Sequence, residues 1–102
     1  MDEWSRQPQE RDGDYYFNGR VFMTRGVQSE LTAEEIGWII RDLRRAVDRH
    51  GGLDYLQVYE SDDGRTVWVI DQLSRSMKES GDYSTEQIRE FDYLTLLLPS
   101  EY

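Results

Sequence analysis

The 102-residue chain contains no cysteine, one histidine, one lysine and two prolines. Without cysteine it has neither a disulfide framework nor a thiolate for catalysis or metal binding. No apolar run approaches the roughly 20 residues of a membrane-spanning helix, and the amino terminus is polar and acidic, unlike that of a signal peptide. These absences predict a cytoplasmic protein that makes no membrane contact and, at this length, forms one domain.

Signatures of catalysis are missing as well. A nucleophilic site needs a nucleophile, a base and an orienting group, whereas His50 falls at a predicted helix end, where a cationic or capping role explains it. The Asp62-Asp63-Gly64 segment lacks the alternating ligands of a calcium loop and is typical of a hairpin turn. The glycines are too scattered for a phosphate-binding loop. We therefore predict a protein that is not an enzyme and that binds no cofactor or metal.

Acidic residues dominate the charge of the chain. Asp and Glu number 21 against 12 Lys and Arg, which gives a formal net charge of -9. Residues 51–102 carry most of it, with a net charge of -7. Such a field repels nucleic acid and attracts basic partners. We therefore expect a protein partner, such as a basic nucleic-acid-binding effector, and no direct contact with nucleic acid.

The clearest local pattern is a β-hairpin over residues 53–71, in which two runs of strand-forming residues flank a polar turn. If Glu60 lies opposite Arg65 across a four-residue loop, the alternation of side chains separates an aliphatic from an aromatic face. The aliphatic face would hold Leu56, Val58, Val67 and Val69. The aromatic face would hold Tyr55, Gln57, Tyr59, Thr66, Trp68 and Ile70.

Two helices and further strands flank this hairpin. Thr32 and Glu35 form a capping-box pattern before apolar residues at helical spacing, which predicts a helix over residues 33–49. A second capping box predicts a short helix over residues 85–90. Residues 93–98 read as a strand, as do residues 20–24, which could form a second hairpin with residues 15–17.

These elements predict an α+β domain over residues 15–102. One long helix would pack on a mostly antiparallel sheet of three to five strands, with a short second helix beside it. Residues 1–14 are predicted to form a flexible acidic arm, in which Trp4 either docks on the domain or stays exposed. The second face of the sheet would be covered by the arm and the short helix, or would leave a patch for a partner.

Two groups of residues are candidates for binding a partner. The aromatic candidates are Tyr55, Tyr59, Trp68, Tyr93 and Trp38. Of these, Trp38 lies off the apolar stripe of its helix, and either packs over the sheet edge or serves as an exposed anchor. The acidic candidates are Glu60, Asp62, Asp63, Glu79, Asp82, Glu86 and Glu90.

Three short segments, over residues 23–27, 53–60 and 96–102, resemble a known family. They read MTRGV, LDYLQVYE and LLLPSEY. They are similar to the small "staphylococcal protein of unknown function" family of Gram-positive bacteria and their plasmids and phages, with the similarity spanning residues 20–102. The chain departs from that family in its Arg-rich composition, its acidic arm and residues 73–83. The resemblance implies a small cytoplasmic accessory protein carried by a mobile element, and it supplies no catalytic residues.

Charge and resemblance together favour a non-enzymatic acidic interaction module. It would inhibit a host defence or nucleic-acid-processing complex, as anti-CRISPR or anti-restriction proteins do, with nucleic-acid mimicry as one mechanism. The alternative is an adaptor or self-associating module of unknown cellular role that uses the aromatic sheet face. Either a monomer or a homodimer is compatible with the sequence.

Overall fold

The computed structural model describes residues 3–102 and shows a five-stranded mixed sheet with a long helix packed on one face. This arrangement confirms the predicted α+β fold. The strands are β1 (Trp4–Arg6), β2 (Arg20–Met23), β3 (Leu56–Ser61), β4 (Thr66–Asp71) and β5 (Tyr93–Leu97). The helices are α1 (Arg25–Glu30), α2 (Ala33–His50), α3 (Arg75–Glu79) and α4 (Thr85–Phe91), followed by a 3₁₀ turn at Pro99–Glu101.

The strands lie in the order β1-β3-β4-β5-β2, and the β2–β5 pair is parallel whereas the others are antiparallel. The hairpin considered between residues 15–17 and β2 is therefore wrong. Tyr15 instead forms an isolated bridge with Leu53, and Phe17 is buried with a φ of 51°. A residue in this left-handed region redirects the chain, which carries β2 to the far edge of the sheet beside β5.

Helix α2 begins and ends as its sequence predicts. The Thr32 hydroxyl accepts from the Glu35 N–H at 3.1 Å, and the Glu35 carboxylate accepts from the Thr32 N–H at 2.9 Å. Gly51 ends the helix with a φ of 69°, a conformation that costs glycine little. Helix α4 has the predicted capping box between Ser84 and Gln87.

The hairpin of β3 and β4 has a register one residue away from the predicted one. The Ser61 N–H donates to the Arg65 carbonyl oxygen at 2.9 Å, so only three residues form the loop. Glu60 therefore lies opposite Thr66 rather than Arg65. Gly64 has a φ of 89°, and supplies the left-handed residue that a three-residue hairpin loop requires.

This shift turns every side chain of β3 to the opposite face of the sheet, because side chains alternate along a strand. The prediction that Leu56 and Val58 lie beneath the long helix is therefore wrong. Tyr59 and Gln57 face α2 instead and are buried. Tyr59 can be buried there because its hydroxyl donates to the carboxylate of Asp42, on α2, at 2.8 Å, which satisfies its polar atom.

The core lies between α2 and this face of the sheet, here called the helix face. Val67, Val69, Leu94 and Leu96 are buried in it, as the strand pattern predicts. Each such aliphatic side chain contributes about 1.5–3 kcal/mol by leaving water. The buried members of the cluster are Trp4, Phe17, Val27, Leu31, Ile39, Leu43, Ala46, Val47, Leu53, Tyr59, Val67, Val69, Leu94 and Leu96.

The amino-terminal segment is part of this body. Strand β1 pairs antiparallel with β3, and Trp4 is only 2% exposed, so Trp4 docks. After β1, the Gln9 side chain accepts from the Asp54 N–H at 3.0 Å. The Asp14 carboxylate accepts from the Ser76 N–H at 2.9 Å. Strand β1, Gln9 and Asp14 therefore contact the rest of the domain, in contrast to the predicted flexible arm. Met1 and Asp2 lie outside the described residues.

The side chain of Glu35 joins three parts of the chain. It accepts from the indole Nε1 of Trp4 at 2.8 Å and from Nη2 of Arg65 at 2.9 Å, in addition to its bond with Thr32. Burial alone would raise the pKa of Glu35, but the hydrogen bonds from Thr32, Arg65 and Trp4 outweigh it and lower the pKa to about 2. Because the pKa is lower in the folded state, the carboxylate stabilises the fold above pH 4.5, and this contribution is lost as the pH falls towards 2.

Replacing Glu35 by Gln should destabilise the protein strongly. The amide lacks the charge that faces the Arg65 guanidinium, so we expect the free energy of unfolding to fall by about 2–4 kcal/mol. Urea denaturation at pH 7 measures this change. Glu34→Gln is the matched control, because Glu34 is exposed one residue earlier in the same helical turn, and it should cost about 0.5 kcal/mol or less. Equal, small losses in both variants would contradict the account.

Asp71 is a second buried carboxylate, at the end of β4, and is 2% exposed. Its Oδ2 accepts from the Phe17 N–H at 2.9 Å, whereas Oδ1 has no hydrogen-bond partner among the described residues. Burial raises the pKa of Asp71 from 3.8 to about 6, against the opposing effects of the Phe17 N–H and Lys78. The folded state thus holds a proton that the unfolded state has released, so stability falls as the pH rises from 3.8 to about 6.

The variant Asp71→Asn should lack this pH dependence, since the amide oxygen can still accept from Phe17 but carries no charge. Between pH 4 and pH 7, the difference in unfolding free energy between the variant and the wild type should shift by about 2 kcal/mol in favour of the variant. One unit of pKa shift corresponds to about 1.4 kcal/mol. Chemical denaturation at a series of pH values measures the difference. Parallel pH profiles for the two proteins would contradict the assignment to Asp71.

Candidate functional site

The side of the sheet that faces away from α2, here called the open face, is rich in apolar side chains. Its residues alternate with those of the helix face along β2, β3, β4 and β5. Every one of them except Leu97 is half-buried or exposed, whereas most of their strand neighbours on the helix face are buried. The uncharged residues of the open face are Phe22, Leu56, Val58, Thr66, Trp68, Ile70, Tyr93, Thr95 and Leu97, and the charged side chains of Arg20 and Glu60 lie on the same side of their strands.

No helix of residues 3–102 covers the open face in the way that α2 covers the other. Helices α3 and α4 contain no buried residue, and the core cluster includes no buried side chain from the open face. The alternative in which the short second helix covers this face is therefore wrong, and a half-buried apolar surface crosses four strands. The core thus lies on one side of the sheet. The other side carries contiguous apolar side chains, a feature that is common at interaction sites.

Aromatic rings occupy two places on this surface. The Trp68 ring packs against Tyr102, with centroids 5.5 Å apart, and Tyr102 itself is 80% exposed. Across the sheet, the Phe22 and Tyr93 rings lie 4.9 Å apart, and the guanidinium of Arg20 lies 5.4 Å from the centre of the Phe22 ring. Trp68, Phe22 and Tyr93 are held by strands, so these three rings can meet a partner at a small cost in entropy. Tyr102, in contrast, lies beyond the 3₁₀ turn.

The structure divides the predicted aromatic candidates into two groups. Trp68 and Tyr93 belong to the open face, and Tyr55 is 43% exposed just before β3. Tyr59, in contrast, is fully buried, so the prediction that it contacts a partner is wrong. Trp38 packs edge-on against the Tyr59 ring, 6.4 Å between centroids, and is half-buried, which favours the packing alternative over an exposed anchor.

The acidic candidates are all exposed, but they do not form one surface. Those near the hairpin turn are Glu60, Asp62 and Asp63. The others follow β4 and precede β5, at the opposite end of the sheet: Glu79, Asp82, Glu86 and Glu90. Strand β4 has six residues, so the two groups are separated by roughly 17 Å or more. Asp63 and Glu79 are also paired, with Arg65 and Arg75 at 3.0 Å each.

A groove of about 240 Å³ lies along the β3 side of the open face, and the sequence analysis missed it. The Gln7 N–H still donates to the Val58 carbonyl oxygen at 2.8 Å, but Pro8 has no N–H and ends the pairing. The chain then leaves the sheet edge and forms one wall of the groove. Pro8, two residues after β1, is a signal in the sequence for this departure, but the strand before it was not predicted. The side chains that line the groove include Pro8, Glu10, Tyr55, Leu56, Val58 and Glu60.

Within residues 3–102, no three His, Asp or Glu side chains lie close enough together to hold a metal ion. No helix in the same range is long and apolar enough to cross a membrane. No family model, curated protein or solved structure matches the chain. The resemblance carried by the three short segments therefore stays a prediction, and the geometry of the open face and its groove has to carry the functional argument.

The open face makes a direct prediction for the tryptophan indoles in solution. A soluble nitroxide broadens the NMR signals of accessible protons, so the indole N–H signal of Trp68, which is half-buried, should lose clearly more intensity than that of Trp4. The indole of Trp4, which is buried and bonded to Glu35, should stay sharp. The variants Trp68→Phe and Trp38→Phe assign the three signals. Equal protection of the Trp4 and Trp68 signals would contradict an open sheet face.

Proposed function

We propose that this chain is a protein-interaction module that binds a partner protein through the open face. The observation that carries the proposal is the unequal burial of the two faces of one sheet. On the helix face Val67 and Val69 are fully buried, whereas Trp68 and Ile70 beside them are only half-buried. Contiguous apolar surface of this kind is typical of interaction sites, and aromatic residues are enriched among those that contribute most to binding.

The charge of the chain favours a basic partner over a second copy of the chain. The net charge is -9, and residues 51–102, which contain β3, β4 and β5, carry -7. Pairing two open faces would bring these like charges together. A protein with an apolar patch and a basic rim avoids this repulsion and is attracted over a distance. We therefore propose a monomeric module with a basic protein partner.

Mimicry of nucleic acid is supported less well than binding through the open face. A mimic would present carboxylates in a continuous array, as phosphates follow one another along a strand. Here the carboxylates lie at two ends of the sheet, and Asp63 and Glu79 are already paired with arginines. Inhibition of a host defence or nucleic-acid-processing complex remains a hypothesis for the identity of the partner, since it depends on the resemblance and the net charge.

The proposal can be tested by affinity capture, in which the tagged wild-type chain and its variants each bind proteins from an extract of the source organism. The amount of the specific partner captured by Trp68→Ala should be lower by about tenfold or more. Truncation of a central aromatic residue typically costs about 2 kcal/mol of binding free energy. Phe91→Ala is the matched control, because Phe91 is an aromatic residue that is 44% exposed on α4, outside the sheet. Quantitative mass spectrometry of the captured proteins measures the ratio, and circular dichroism verifies that each variant is folded.

Two charge variants separate the open face from acidic mimicry. Asp62→Lys and Glu86→Lys reverse one exposed charge at each end of the sheet and leave the Asp63–Arg65 pair intact. We expect both to slow association and to keep the partner bound. Loss of the partner in these variants, with full retention in Trp68→Ala, would contradict the proposal and support mimicry.

Light scattering tests the self-associating alternative. The wild-type chain should have the mass of one copy, 12.2 kDa, at concentrations up to about 100 µM, because an acidic chain resists pairing with itself. A dimer that Trp68→Ala converts to a monomer would show that the open face pairs with a second copy, and would contradict a basic partner.

A further inference from the structure

We propose that the groove beside the open face takes an arginine side chain of the partner protein. This inference rests on the proposed function, since Leu56 and Val58 belong both to the groove and to the open face. It adds a specific recognition site at the edge of a surface that is otherwise apolar. The groove supplies the three features that an arginine side chain needs: an apolar floor, an aromatic ring and exposed carboxylates.

The floor and the ring suit the uncharged parts of the arginine. Leu56 and Val58 are half-buried side chains on which the three methylene groups of the stem can pack, as such stems do along apolar surfaces. Pro8 also lines the groove. Tyr55 is 43% exposed at the same groove, and a guanidinium plane stacks well on the face of a tyrosine ring.

The carboxylates suit the charged end. Glu10 and Glu60 both line the groove and are both exposed. Neither takes part in an ion pair among the described residues. Asp54 is different, because its carboxylate accepts from the Tyr55 N–H at 2.9 Å and is buried. The carboxylates of Glu10 and Glu60 make the groove negatively charged, and a guanidinium can form two parallel hydrogen bonds with either one of them, which the compact ammonium of lysine cannot do.

A hexa-arginine peptide is the probe, and the peptide of the same length made of citrulline, which has the same shape but no charge, is its control. With isotope-labelled full-length protein, the arginine peptide should shift the backbone NMR signals of residues 7–10 and 54–60. The citrulline peptide should not shift them. In the double variant Glu10→Gln and Glu60→Gln, the affinity for hexa-arginine should fall roughly tenfold, as expected for the loss of charge-assisted hydrogen bonds.

The matched control is Glu86→Gln with Glu90→Gln, which removes two exposed carboxylates from α4 and should leave the affinity within about twofold, since it changes only long-range attraction. The inference is overturned if hexa-arginine does not bind, if its shifts centre on the hairpin turn or α4, or if both double variants weaken binding equally. If one of those results is obtained and Trp68→Ala still loses the captured partner, only the inference about the groove is wrong. If Trp68→Ala retains the partner, the proposed function fails whatever the peptide does.

Discussion

The ion pair between Glu35 and Arg65 connects the elements whose positions define the rest of the fold. Glu35 begins α2 through its bond with Thr32, and Arg65 holds the closing end of the β3–β4 loop against that helix. The same carboxylate accepts from Trp4, which ties β1 to the first turn of α2. Because β1 ends two residues before Pro8, this contact also helps to hold the chain segment that lines the groove. A buried carboxylate on the helix side of the sheet thus also contacts the strand whose continuation lines the groove on the other side.

The pairing of β3 decides which of its two apolar faces meets the helix. Either face could be buried, since one carries Leu56 and Val58 and the other carries Tyr59. Tyr59 is buried because Asp42 on α2 accepts from its hydroxyl at 2.8 Å and because Trp38 packs against its ring. Burial of a phenol with its hydrogen bond satisfied costs little, and it leaves two aliphatic side chains facing away from the core. The open face is the direct consequence of that choice.

Much of the fold follows from local patterns in the sequence, and the rest depends on contacts between distant residues. The capping boxes predict the starts of α2 and α4, and the strand pattern places Val67 and Leu96 in the core. The register of the hairpin and the docking of Trp4 are not local, because they depend on partners 17 and 31 residues away. The site divides in the same way: Trp68 is predicted from the alternation along β4, whereas the groove needs β1 to pair with β3.

The central claim is that the open face, and not the acidic ends of the sheet, contacts the partner. Cross-saturation NMR on the complex of the labelled chain with its captured partner tests this claim most directly, since irradiation of the partner attenuates only signals at the interface. We predict the strongest attenuation at Trp68, Ile70 and neighbouring residues of the open face. Attenuation centred on α2, or on Asp62 and α4 with the open face unaffected, would contradict the account.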